Sequence, residues 1–168
     1  MPNLRPRGLQ VSQPEVEFLG RLGPVLPTPR AAKRLVNLYR LVRISIPEAD
    51  LAAFAGTGDG QSEYQFVQIL LAILVGSPAM AQWVFKEIMA APADTDIRTV
   101  LRNIATADGG AGTYTRISAV LDQAVTDVSL RTEAAAYQPW CPRLARYSFH
   151  TRELAAAHSG PGSWPGSR

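Results

Sequence analysis

Residues Tyr64 to Phe85 read YQFVQILLAILVGSPAMAQWVF, 22 positions without a formal charge. A run of that length and apolarity meets the first requirement of a membrane-spanning helix. Its details point elsewhere. Gln65, Gln68 and Gln82 would be costly in hydrocarbon, and no basic cluster flanks the run. Gly76-Ser77-Pro78 is a helix stop followed by a helix start, because glycine ends helices and proline is tolerated in a first turn. Two consecutive buried helices are expected, with no membrane partner.

Working outward, the remaining apolar residues recur at helical spacing. Val16, Leu19 and Leu22 mark a short helix from Glu15 that ends at Gly23-Pro24. Thr28 is placed to cap a second helix with Pro29 in its first position, running to Ile44 and stopped before Pro47. Glu48 to Ala55 adds one or two turns through Leu51 and Phe54, before a flexible loop at Gly56 to Gly60. Ser62 is the expected cap of the helix from Tyr64. The helix after Pro78 carries Met80, Val84 and Ile88, with Trp83 and Phe85 beside them, and closes at Ala91-Pro92. Asp94 or Thr95 is then expected to cap a helix through Ile97, Val100, Leu101 and Ile104. After Asp108 to Gly112, Thr113 or Thr115 opens a stripe of Ile117, Val120, Leu121, Ala124, Val125 and Val128. Gln138-Pro139-Trp140-Cys141-Pro142 is read as a break, followed by a flap in which Leu144, Tyr147 and Phe149 dock. No period-2 alternation competes, so the fold class is all-α: an irregular bundle of about six to seven helices with disordered termini. The division is a flexible segment over 1–14, a helical domain over 15–150, and a short helix with a Gly/Pro/Ser tail over 151–168.

The chain of 168 residues can bury a core without disulfides or metal. Its single cysteine, Cys141, and the absence of a charged, apolar leader make the cytoplasm the expected compartment. The formal charge is +3, yet residues 9–150 hold 13 basic and 13 acidic side chains and sum to zero. Overall basicity therefore says little about partners. One segment differs. Arg30, Lys33, Arg34, Arg40 and Arg43 follow one another with no acid between Arg21 and Glu48. On the helix from Pro29, Arg30, Lys33, Arg34, Asn37 and Arg40 share a face about 120° wide, opposite Leu35, Val36, Leu38, Tyr39 and Val42. Leu41 and Ile44 interrupt that face at its C-terminal end. Like charges at i and i+4, such as Arg30 and Arg34, oppose helix formation by about 0.2–0.5 kcal/mol per pair. Such a face is most often solvated or paired with nearby carboxylates, here Glu15, Glu17 or Asp50. The functional alternatives are phosphate groups of a nucleotide or nucleic acid, and an acidic protein.

Thr28-Pro29-Arg30-Ala31-Ala32-Lys33-Arg34-Leu35-Val36-Asn37-Leu38-Tyr39-Arg40-Leu41 resembles the S/T-P-R-x-x-K-R-x-x-N-x-x-R helix in the lid of KAP-type P-loop NTPases, relatives of the AAA+ and STAND ATPases. The resemblance covers 14 residues. It implies a helical region C-terminal to a nucleotide-binding core, with Arg30 as a sensor-like arginine, Lys33 and Arg34 as supporting cations, and Asn37 and Arg40 as further contacts. The Trp140 to Phe149 segment, with Arg143 and Arg146, resembles the ends of large proteins of the same kind. The departures matter equally. Neither lysine, Lys33 or Lys86, belongs to a Gly-x-x-x-x-Gly-Lys-Ser/Thr loop, and no hydrophobic strand ends in magnesium-binding acids. The resemblance thus implies a non-catalytic lid module with no cofactor of its own. ATP would be shared with a P-loop core on another chain or in sequence upstream. The rival classes are a nucleic-acid-binding helical domain and a helical protein-interaction adaptor.

Other chemistry finds little footing. His150, His158 and Cys141 lack metal-ligand spacing. A Cys141-His150 nucleophilic pair has no evident cationic pocket. The carboxylates Asp94 and Asp96 suit helix capping, and Asp122 and Asp127 suit a solvated face.

Overall fold

The computed structural model describes residues 10–56, 62–108, 111–127 and 130–156. Most of the expected glycine loop, and most of the two ends expected to be disordered, lie outside the described residues. Those residues form ten α-helices and two single turns of 3-10 helix, with no strand. Six helices have nine residues or more: α1 (Gln13–Arg21), α2 (Pro29–Ile44), α4 (Tyr64–Gly76), α5 (Pro78–Ala90), α6 (Ile97–Asp108) and α7 (Ala111–Asp127). Four are shorter: α3 (Leu51–Ala55), α8 (Ala134–Tyr137), α9 (Trp140–Ala145) and α10 (Arg152–Ala156). The 3-10 turns are Gly23–Val25 and Glu48–Asp50.

α4 is the axis of the bundle. Every side chain from Tyr64 to Val75 is buried, and α1, α2, α5, α8 and α9 all pack against it. A helix enclosed by protein on all sides has no need of an amphipathic pattern, which explains how a stretch that reads like a membrane span becomes a core. No helix among the described residues is long and apolar enough to cross a membrane. The interruption at Gly76-Ser77-Pro78 turns the chain from α4 into α5, with Pro78 at the first position of the new helix. Gly76 is needed here for space as well as for termination. A Cβ at this position would stand 2.5 Å from the Val25 carbonyl oxygen. Gly76→Ala is therefore expected to cost about 1–3 kcal/mol by overpacking, read as a lower urea midpoint; an unchanged midpoint would show that the Val25 turn gives way freely.

Buried rings join the smaller helices to this axis. Phe18 of α1 meets Tyr64 edge-on at 6.1 Å, and Phe66 of α4 lies 4.9 Å from Tyr137 of α8. Tyr39 of α2, Phe54 of α3 and Trp140 of α9 form a continuous chain, with centroids 6.4 and 5.8 Å apart. Aromatic pairs at these separations are worth about 0.5–1.5 kcal/mol each beyond the area they bury. Their larger effect is on placement, since they link α2 to α9 through α3 although about 100 residues separate the two helices.

Several local expectations are corrected. The cap of α4 is Glu63, not Ser62, and its side chain makes no capping bond. Of the two carboxylates suited to capping, Asp96 caps α6, in place of Asp94 or Thr95: its Oδ1 accepts the Arg98 N–H at 2.8 Å. α7 begins at Ala111, ahead of Thr113 and Thr115; Tyr114, Ile117, Val120 and Leu121 are buried, while the side chains of Ala124, Val125 and Val128 lie outside the described residues. The break falls at Gln138 and Pro139, between α8 and α9, while Pro139 and Pro142 themselves belong to the start of α9. They occupy the cap and first turn of α9, where a missing N–H costs no helical bond. Leu144 docks as expected and Tyr147 packs half-buried against the core, but Phe149 is 73% exposed.

Candidate anion-binding surface

α2 starts as its sequence requires. The Thr28 Oγ1 accepts the Ala31 N–H at 3.1 Å and Pro29 takes the first position. The phase of the helix is then set by Leu35, Tyr39 and Val42, which are buried. That phase turns Arg30, Lys33, Arg34, Asn37 and Arg40 outward, and all five are exposed. Among the described residues, none of the four cations in this row forms an ion pair. Leu41 and Ile44 continue the face, 53% and 44% exposed.

Arg43 does not belong with them. The run of five cations contains one that points inward, where it is 6% exposed and its Nε donates to Glu15 Oε1 at 2.8 Å. Glu15 is fully buried. Its carboxylate also accepts the Tyr39 hydroxyl and the Ser12 N–H, the latter at 2.7 Å. Gln68 Nε2 of α4 donates to the Glu15 carbonyl at 3.1 Å. Burial by itself would raise the Glu15 pKa; the bonds from Arg43, Tyr39 and Ser12 outweigh it and hold the carboxyl below its ordinary value. Burial and the adjoining carboxylate push the Tyr39 hydroxyl far up, so it remains a donor. One acid of the chain thus neutralises one cation of α2 and leaves the outward row intact.

The α9–α10 corner adjoins that row. Arg34 Nη2 makes a long hydrogen bond, 3.5 Å, to the Tyr147 carbonyl. Around this point each arginine of the corner lies over a ring: Arg143 over Trp140 at 5.3 Å, Arg146 over Tyr147 at 5.5 Å, and Arg152 over Phe149 at 4.4 Å from the centroid. Arg143 is partly screened from solvent. Burial lowers its pKa, with Glu63 opposing that shift and Arg146 adding to it. Sequence reading singles out Arg143 and Arg146 but docks Phe149 against the core, which the structure corrects. The available signal is the alternation of arginine with aromatic residues through Trp140, Arg143, Arg146, Tyr147, Phe149 and Arg152.

Elsewhere the polar groups have structural work. Asp96 binds Arg98 and accepts the Thr132 hydroxyl at 3.1 Å, while Arg98 Nη1 reaches Asp122, which is exposed as expected, at 3.4 Å. The Asp127 side chain lies outside the described residues. Reciprocal bonds from the Ile97 N–H to the Thr132 carbonyl and from the Ala134 N–H to the Thr95 carbonyl, both 2.8 Å, clamp the start of α6 to α8. Cys141 is buried and burial pushes its thiol pKa up, whereas His150 is exposed. Among the described residues no group of three or more His, Cys, Asp or Glu is arranged to hold a metal. No family model, curated protein or solved structure matches the chain. The α2 face and its surroundings are what remains to indicate function.

Proposed function

We propose that this chain is a non-catalytic helical accessory module that presents the outward face of α2 to a phosphate-bearing partner. The supporting observation is the segregation of charge within one helix: Arg43 turns in to Glu15, while Arg30, Lys33, Arg34 and Arg40 stand outward without an acidic partner among the described residues. Cations gathered on a rigid helix repel one another in the free protein, and a bound polyanion relieves that repulsion. Arginine suits the task because its planar fork matches phosphate oxygens. A lid module that approaches the nucleotide of a P-loop core on another chain, as the resemblance of Thr28 to Leu41 implies, is one form this partner takes, with Arg30 nearest the phosphate. ATP is then a shared ligand.

Inorganic tripolyphosphate is the simplest probe. Titration calorimetry at low salt is expected to show saturable binding, weakened about tenfold or more in Lys33→Ala/Arg34→Ala, since each charge-assisted bond contributes about 1.5–3 kcal/mol. The two side chains are exposed, so the variant should keep its urea midpoint. Equal binding by the variant would remove α2 from the reading. ATP turnover by the chain alone, abolished by Arg30→Ala, would overturn its non-catalytic part.

A further inference from the structure

Phe149 is the most exposed large apolar side chain among the described residues, and the turn that carries it is firmly built. Thr151, fully buried, donates its hydroxyl to the Ala145 carbonyl at 2.6 Å, Ser148 is buried beside it, and the Leu154 N–H returns to the Thr151 carbonyl at 3.0 Å. A phenylalanine held out by a well-bonded turn keeps apolar surface in water that folding would otherwise remove. A ligand that covers the ring would recover that stabilisation. The Arg152 guanidinium lies over the ring at 4.4 Å and His150 meets it edge-on at 6.1 Å.

We propose that the α2 face and the α9–α10 corner together bind single-stranded nucleic acid, with phosphates along Arg30, Lys33, Arg34 and Arg40 and an unpaired base stacked at Phe149. The inference rests on the phosphate-binding reading of α2 and names its ligand. Three features favour this ligand. Phe149 lies two residues from Tyr147, whose carbonyl Arg34 contacts, so the turn that carries the ring adjoins the cationic row. The row from Arg30 to Arg40 extends about 15 Å along the helix, enough for several nucleotides of a strand. Finally, inorganic phosphate has no use for an outlying ring, and the bases of a duplex are already stacked, whereas an unpaired base stacks readily on an aromatic face. Glu153, exposed on α10 next to Arg152, and Glu63, which acts on Arg143, are acids that work against the site.

Fluorescence anisotropy with a labelled twenty-nucleotide oligothymidine, its duplex counterpart and unlabelled tripolyphosphate as competitor tests this in the full chain. Single strand is expected to bind more tightly than duplex. Phe149→Ala should weaken it roughly 5- to 150-fold, the range for one stacked base, without changing the salt dependence. Phe149→Trp should retain binding. Lys33→Ala/Arg34→Ala should instead flatten the dependence of affinity on salt, by about 0.7 in log–log slope for each phosphate no longer neutralised. Equal affinity of Phe149→Ala and wild type, or no preference for single strand, would overturn this proposal while tripolyphosphate binding left the α2 reading standing. Binding to neither ligand would remove both. Tighter, saturable binding to polyglutamate than to the oligonucleotide would replace the nucleic acid with an acidic protein.

Discussion

Arg43→Ala is expected to destabilise the fold by about 3–5 kcal/mol, because it leaves the Glu15 carboxylate buried without its cation. For a chain of this size each kcal/mol lowers the melting temperature by about 2–4 °C, so the shift should be on the order of 10 °C. Desolvation of both ions limits what the intact pair contributes, which separates two variants that both abolish the same ion pair. Removing Arg43 strands a charge. Removing both partners, as in Glu15→Leu/Arg43→Met, removes the desolvation penalty with the attraction and should cost clearly less than Arg43→Ala alone. Tyr39 then loses its acceptor, so the double variant is not expected to reach wild-type stability. If urea unfolding gives the two variants equal midpoints, the pair is not desolvated as described.

The same cluster predicts an acid limb. The folded Glu15 carboxyl sits below its ordinary value of 4.5, so its contribution is complete above that pH and is lost as pH falls through the lowered folded value. The gap in urea midpoint between wild type and Glu15→Gln should accordingly narrow below about pH 4.5. A gap that is constant across this window would mean that Glu15 does not titrate as a buried, bonded carboxylate.

Leu71→Ala is the second large effect, expected to cost about 2–5 kcal/mol. Leu71 is fully buried at the centre of α4, with helices on every side and little freedom to close a cavity. Leu41→Ala makes the control. Leu41 has the same side chain on a helix of similar length, but it is 53% exposed, and its removal should stay within about 0.5 kcal/mol. Against a total stability of about 5–15 kcal/mol, the first change consumes a large share and the second almost none. A cost below about 1 kcal/mol for Leu71→Ala would contradict the placement of α4 at the axis.

Much of the bundle is legible in the sequence because its signals are local. Thr28-Pro29 announces the start of α2, Gly76-Ser77-Pro78 divides α4 from α5, and each is read from a few adjacent residues whose backbone needs are known. Misreadings arise where a neighbour distant in sequence decides the outcome. Pro142 looks like a breaker until α9 is seen to place it in a first turn, where no helical N–H is required. Helical phase puts Arg43 beside Tyr39 and Val42 on the buried face, but its partner is unknown until α1 presents Glu15 to it, 28 residues away in sequence. For the site, helical phase alone places Arg30, Lys33, Arg34, Asn37 and Arg40 on one exposed face. Nothing in that phase says that the turn at Tyr147 adjoins it.

The amino-acid order by itself determined the helical class, the buried character of Tyr64 to Val75 and the two-faced character of α2, because capping and 3.6-residue periodicity act within a turn or two of backbone. Tertiary structure decided which cation is neutralised and which ring is left in water. Those outcomes depend on the chain of Tyr39, Phe54 and Trp140 that links α2 to α9 through α3, and on the burial that makes Glu15 and Arg43 need each other. Both join residues far apart in sequence, and they form only when α4 has drawn its neighbours around it.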